Sequence, residues 1–476
     1  MKKLVALSAI ALLSTSIYAN ADMQAQIDAL KAQLEKMEAQ LVKTNKVQKK
    51  IKKRVSAVNK LANNDNIKFD VDFRTSYDNI SYKATDGTKH SNDGLYSMRL
   101  WLGMGYAPTN DMMFKGTLSY NKAFGAGGMK ANGFPQRGSG FDAFDWVINE
   151  NLTDDTLRVR EAYWFWSPTF NDRGYTLSVG RRPATNGFLV SLRDDDKAKS
   201  PIGHIINMEF DGISASVKTD DIIEGSYLKL CLGRGLSNAT SRFDMAGTDY
   251  STEGNQLHNM DLIGAIAKVY DDGQYTAFAK YYRAFNVIGM SDANRNGAYD
   301  QGVDTMQSFG EMDGAALSLQ VSGVGDEIND FLDDTTLFAS FAWSNTRPQD
   351  GKAMLGSLEN QSGSSIYLGV QMPNMTGGKF GLEYNHGSKY WRPFTYAEDT
   401  MIGSKLAVRG NAYEAYWTQP IVDKIFTMQV RYTYLDYDYT GSQAFFGDFG
   451  TPMDVANVPN AIDTAQDIRV YFRYRY

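Results

Sequence analysis

From residue 66 to the end of the chain, apolar and polar side chains alternate at every second position, in segments about ten residues long. Ile67, Phe69, Val71 and Phe73 alternate with Lys68, Asp70, Asp72 and Arg74. Met98, Leu100, Leu102, Met104 and Tyr106 alternate with Arg99, Trp101 and Gly103, and Phe426, Met428, Val430, Tyr432 and Tyr434 with Thr427, Gln429, Arg431 and Thr433. A period of two gives each segment one apolar and one polar face, as in a β-strand. Length then narrows the choice. Strands of soluble sandwiches run to about 5–6 residues, whereas a strand that crosses a membrane needs about 9–11. Past residue 20, no stretch is apolar for the ~20 residues of a membrane helix, so a helical membrane fold is excluded.

Sixteen strands are expected, starting near residues 67, 95, 111, 156, 173, 203, 225, 258, 273, 308, 334, 364, 379, 407, 424 and 465. Short turns at 108–111, 271–273 and 373–378 alternate with long polar connections at 122–155, 235–257, 287–307, 346–363 and 439–464. Outer-membrane barrels treat their two rims in this way. The segment 203–218 contains Phe210-Asp211-Gly212, which resembles a tight hairpin, but a second strand there would make the count odd; one strand is expected. The chain ends on Ile468, Val470, Phe472, Tyr474 and Tyr476. The aromatic positions Phe472, Tyr474 and Tyr476 match the C-terminal signal read by outer-membrane assembly machinery. The expected fold is an all-β transmembrane barrel of about 16 antiparallel strands over 63–476, preceded by an α-helical coiled coil.

Two N-terminal segments differ from the rest. Lys2 and Lys3, the apolar run Leu4 to Leu13, and Ala19-Asn20-Ala21 read as a signal peptide over 1–21, with the mature chain beginning at Asp22. In 22–62, Ile27, Leu30, Leu34, Met37, Leu41, Thr44, Gln48, Ile51, Val55 and Val58 recur at spacings of three and four, a heptad seam with two polar positions. This predicts a periplasmic coiled coil that joins copies of the chain into an oligomer. A single amphipathic helix is the weaker reading. Lys43 to Arg54 is basic without an acid, which suits anionic lipid headgroups or the peptidoglycan; a solvated helix face fits as well. The rest of the chain is acidic enough to bring the net charge to −6, and no nucleic-acid partner is expected. With 28 Tyr, 25 Phe and 43 Gly against one Cys, disulfide scaffolds, Cys-ligated zinc, iron–sulfur clusters and covalently attached haem are excluded.

The order of signal peptide, coiled coil and barrel, the motif Gly180-Arg181-Arg182-Pro183 with its following loop, and the aromatic final strand resemble the trimeric general porins. The layout is more similar still to coiled-coil-headed porins of the phosphate-selective (O and P) type, and to an uncharacterised porin-like outer-membrane family. The chain lacks the Lys-rich loops of a dedicated phosphate site. The resemblance implies passive diffusion of small hydrophilic solutes across a Gram-negative outer membrane, and a homotrimer held through the coiled coil.

A barrel of this size leaves an aqueous bore, and the charges facing it set selectivity. The polar phase places Arg74, Arg99, Arg158, Arg160, Arg182, Arg431, Arg469, Arg473 and Arg475 toward the lumen. The first two and last two strands become neighbours on closure. Arg74, Arg99, Arg431, Arg469 and Arg473 then form one basic ladder, partly cancelled by Lys68, Asp70 and Asp72. This favours anions modestly, unless each Arg pairs with an acid. Trp101, Trp164, Phe278 and Tyr282 fall in the lumen phase and would narrow the bore. The loop 186–200, with Phe188, Leu189 and Val190 followed by Arg193, Asp194, Asp195 and Asp196, is a candidate constriction; the loop 122–155 competes for that role. Asp292, Asn294, Asn296 and Asp300, with Gly297, have the spacing of a calcium loop, although position 12 is Val303 and Asp304 comes one residue late. Structural Ca2+ in an external loop is expected on that basis; no cofactor is required.

G-x-S-x-G, P-loop and H-E-x-x-H motifs are absent, and His90, His204, His258 and His386 are scattered, so no enzyme is expected. Against the porin stands a structural reading, in which a filled barrel tethers the membrane to the cell wall and displays its external loops. An open or a filled lumen separates them.

Overall fold

The computed structural model describes residues 67–476, apart from 126–151, 153–156, 183–184, 200–201, 253–256, 295–299, 301–302, 326–327 and 397–398, together with the helical Lys31 and Gln33. The expected signal peptide and nearly all of the expected coiled coil lie outside the described residues.

The sixteen long strands are β1 (Lys68–Ala84), β2 (Lys89–Tyr106), β3 (Met112–Ala123), β4 (Arg158–Trp166), β5 (Arg173–Arg182), β6 (Phe210–Lys218), β7 (Tyr227–Leu236) and β8 (Met260–Asp271), followed by β9 (Tyr275–Met290), β10 (Met306–Ser322), β11 (Thr336–Pro348), β12 (Ser362–Pro373), β13 (Lys379–Gly387), β14 (Gly410–Val422), β15 (Phe426–Tyr437) and β16 (Ile462–Arg475). Each pairs antiparallel with the next. β16 pairs back onto β1, from Asp72 opposite Arg475 to Ala84 opposite Ile462, and the sheet closes. Closure leaves no unpaired edge.

Alternation decides which side chains face out. On β7, Leu228, Leu230 and Leu232 are 54%, 62% and 54% exposed, while Lys229, Cys231 and Gly233 take the other face. On β16, Ile468, Phe472 and Tyr474 point outward, and Asp467, Arg469, Tyr471 and Arg473 are buried inside. The connections 107–111, 167–172, 219–226, 272–274, 374–378 and 423–425 are short. At the opposite rim 183–209, 388–409 and 438–461 are long, and only the tight 85–88 turn is short.

Three expectations need correction. The sixth strand begins at Phe210, not near 203. Ile202, Ile205, Ile206 and Met208 are almost fully buried and do not alternate, because this stretch turns into the barrel. The second strand begins at Lys89 rather than 95, since the 85–88 turn is tight. Trp164 faces outward beside Phe114, not into the lumen. A bulge is responsible: Val159 lies opposite Leu118 but Glu161 lies opposite Thr117. The extra residue, Arg160, inverts the phase of everything after it.

The interior is filled unevenly. Toward β6–β11 an apolar core joins wall residues Leu262, Tyr282, Ala284 and Met312 to Ile205, Trp391, Phe394, Phe445 and Phe446 from three infolded connections. Toward β14–β16 and β1–β2 the filling is ionic.

Candidate functional site

Of the three connections that fold into the barrel, two reach the charged wall. The first, 183–209, carries Phe188, Leu189 and Val190, which pack on Phe278, Phe338 and Tyr367 of β9, β11 and β12. Leu189 has φ 76°, a left-handed conformation that costs a non-glycine residue energy, and complete burial repays it. Beyond this anchor the loop is held by wall amides: Gln371 donates to the Leu192 carbonyl at 2.7 Å and Gln429 to the Arg193 carbonyl at 2.9 Å. His204 is fully buried between the Ser340 and Ser365 hydroxyls, at 2.8 and 2.9 Å from its two ring nitrogens. Burial pushes its pKa down to about 3, so the imidazole stays neutral.

The second connection, 388–409, was not singled out from the sequence. It runs beside the first, with Phe394–Thr395 in parallel register with Ile206–Asn207. Trp391 is completely buried and donates its indole N–H to the Leu406 carbonyl at 2.7 Å. The signal that could have revealed it is Tyr390, Trp391, Phe394 and Tyr396 crowded into one short stretch of the connection, more aromatic surface than a solvated loop carries.

The expected basic ladder is assembled on one wall. Arg74 stands opposite Arg99 in the β1–β2 register and opposite Arg473 in the β1–β16 register; Arg431 stands opposite Arg469. Each of these side chains meets an acid. Arg74 forks onto Asp399. Arg99 donates to Asp72 at 3.2 Å, and Arg473 bonds both Asp72 and Asp196. Arg469 bonds Asp78 and approaches Asp399 at 3.4 Å. Arg431 lies 3.9 Å from both Asp399 and Glu414. Arg475 donates to Asp196 at 2.8 Å.

The constriction-loop residues supply part of this neutralisation. Arg193 reaches Glu414 on β14 at 3.1 Å. Asp194 accepts from the Tyr471 hydroxyl at 3.0 Å, and Asp195 pairs with Lys379 at 2.7 Å. From the second connection, Lys405 bridges Glu383 and Glu414. Burial raises the Asp399 carboxyl, but the guanidinium groups of Arg74, Arg469 and Arg431 outweigh it and hold the pKa well below the usual carboxylate range. Asp194 is likewise raised by burial and held down by Arg193, Arg431 and Arg473. Arg99 and Arg160 sandwich Trp101, with guanidinium carbons 3.5 and 4.1 Å from the ring centroid. Arg158 opens β4 opposite Ser119. Arg182 stacks on Tyr163, away from the ladder.

In the calcium-like loop, the Asp304 carboxylate accepts from the backbone N–H groups of Ala293 and Asp300, at 2.9 and 2.7 Å. Asn294 donates to Asp300 at 2.7 Å. Asn296 lies outside the described residues. Among the described residues no three acid, His or Cys side chains converge as a metal site.

A closed sixteen-stranded antiparallel barrel, apolar outside and charged within, with long connections folded into its bore, defines the class. The family model for a "Protein of unknown function (DUF3373)" matches residues 89–476, and the chain belongs to that family. No curated protein matches the sequence. Among solved structures, Pseudomonas putida OprB at high pH is 12% identical over 89% of this chain and 96% of its own, with a TM-score of 0.46. Salmonella typhi OmpF in complex with daunomycin is 11% identical over 86% and 97%, at 0.44. The trimer form of Vibrio cholerae OmpT is 12% identical over 86% and 99%, at 0.43.

Proposed function

We propose that this protein is an outer-membrane porin that passes small hydrophilic solutes through a bore narrowed by residues 183–209 and 388–409. The observation that carries the reading is the inversion of the barrel: leucines and aromatics face out, and a charged interior faces a space that sixteen strands are too many to fill by themselves. A vestibule of about 1530 Å³ lies at the long-connection rim, lined by residues such as Asp292, Lys352 and Gln443. A separate cavity between Arg99, Trp101, Arg160, Asp194 and Asp399 measures only about 20 Å³, room for about one water molecule. On this reading the bore is narrowest beside the ladder, whose charges are nearly balanced, so the ladder contributes only a modest anion preference. On this reading residues 22–62 trimerise the protein in the periplasm.

The apolar core inside the barrel, with Trp391, Phe394 and Phe446 fully buried, favours a second reading: a filled barrel that displays its loops. Conductance in planar bilayers decides. Steps in groups of three are expected for the porin. Correctly folded, heat-modifiable protein that never conducts would establish the filled barrel.

A further inference from the structure

The wall away from the ladder carries a second set of cations. Lys229 on β7 stands in register with Ile266 on β8, and Ile266 with Lys280 on β9. The two lysines therefore rise from one row, two strands apart, or roughly 10 Å at the ~4.8 Å strand spacing. Together with Arg182 they line one small cavity. Lys280 is only 6% exposed. Among the described residues none of the three makes a hydrogen bond or an ion pair with an acid, whereas every ladder arginine does. Arg182 and Lys229 are half-buried beside Lys280. Like charges crowded in a partly desolvated cavity without a counter-ion are unfavourable, and an incoming anion relieves them.

The cavity measures about 70 Å³, a few water molecules in size. Apart from Ser214 and Cys231 its remaining walls are glycine or apolar, with Phe210, Leu262 and Ile266 among them. A fully hydrated inorganic oxyanion would lose its water to such a lining with little return; a carboxylate on a short hydrocarbon would place its charge on the lysines and its methylenes on the isoleucine. We propose that Arg182, Lys229 and Lys280 form a binding site for a small organic carboxylate on the inner face of β5–β9. The proposal does not depend on net transport, only on the cavity being open to water.

The chain provides its own reporter. Cys231, its single cysteine, lines the same cavity, one row from the lysines and opposite Gly264. In the full-length folded protein, the rate of Cys231 modification is compared between the anionic sulfonatoethyl and the cationic trimethylammonioethyl methanethiosulfonates. The anionic reagent is expected to react at least about tenfold faster, as charge focusing in a cleft allows. Propionate should slow it at constant ionic strength, and sulfate should not. Lys229→Gln and Lys280→Gln should each reduce the preference, with Arg182→Gln as an alternative if either fails to give a heat-modifiable barrel. Equal rates, no reaction with either reagent, or protection by sulfate in place of propionate would each overturn the assignment. None of these readouts uses conductance, so the site and the porin reading can fail separately.

Discussion

Two walls of the same barrel carry inward cations, and they differ in what faces them. On β14–β16 and β1–β2, Arg74, Arg99, Arg431, Arg469 and Arg473 meet Asp72, Asp78, Asp196, Asp399 and Glu414, several of them delivered by infolded loops. On β5–β9, Arg182, Lys229 and Lys280 share a largely apolar cavity that no acid lines. The larger cluster thus clamps two loops in the bore, and on the proposal made above the smaller one keeps its charge for a ligand. Strand phase alone does not distinguish the paired cations from the unpaired ones.

The sharpest way to break this contrast is Asp399→Ala. It strips the carboxylate from Arg74, Arg431 and Arg469 together, and stranding buried charges costs about 3–5 kcal/mol. The second infolded connection should detach, raising single-channel conductance and exposing 388–409 to protease. Unchanged conductance and protection would show that the clamp is idle. Lys280→Gln should do the opposite on the other wall. Stability should hold or rise, because an unpaired buried charge is removed, while the reversal potential in a salt gradient moves toward cations.

Acid should act through the loops. His204 is neutral when docked, and burial holds its pKa at about 3, well below the ordinary imidazole value of about 6.5. An undocked imidazole takes up a proton below about 6.5, so docking is fully stable above that pH and weakens as pH falls toward 3, by up to about 1.4 kcal/mol per unit. Asp399 and Asp194, both depressed, add to the loss below the usual carboxylate range. Conductance followed from pH 7 to 4 should rise in the native protein and stay flatter in His204→Gln. The smallest effect is expected for Arg234→Ala. Its bonds to Asp261, at 2.7 and 2.9 Å, lie on an exposed pair, and such pairs contribute about 0.2–1 kcal/mol. Heat-modifiability should scarcely change; a large shift would mean that exposed pairs matter as much as buried ones here.

The barrel was legible because period-two alternation is a local property. Each strand from Lys68 to Arg475 carries its own two-faced pattern, and the expected starts at 173 and 379 coincide with the observed ones. The one inverted residue, Trp164, follows a bulge, and a single inserted residue leaves no mark in composition. The loop 186–200 stood out because apolar and charged residues sit side by side in it. The partner loop 388–409 did not, because its charges Asp399 and Lys405 look solvated until the wall residues opposite them are known.

The sequence by itself determined the strand number and, away from the bulge in β4, the face each strand turns outward and the cations of the inner face, since these follow from neighbours one or two positions away. Only the tertiary structure decided which of those cations are neutralised. Arg74 and Asp399 are 325 residues apart in the chain and Arg473 and Asp72 are 401 apart. Pairing at such distances depends on closure of the barrel and on the loops that fold into it, and no local pattern encodes either.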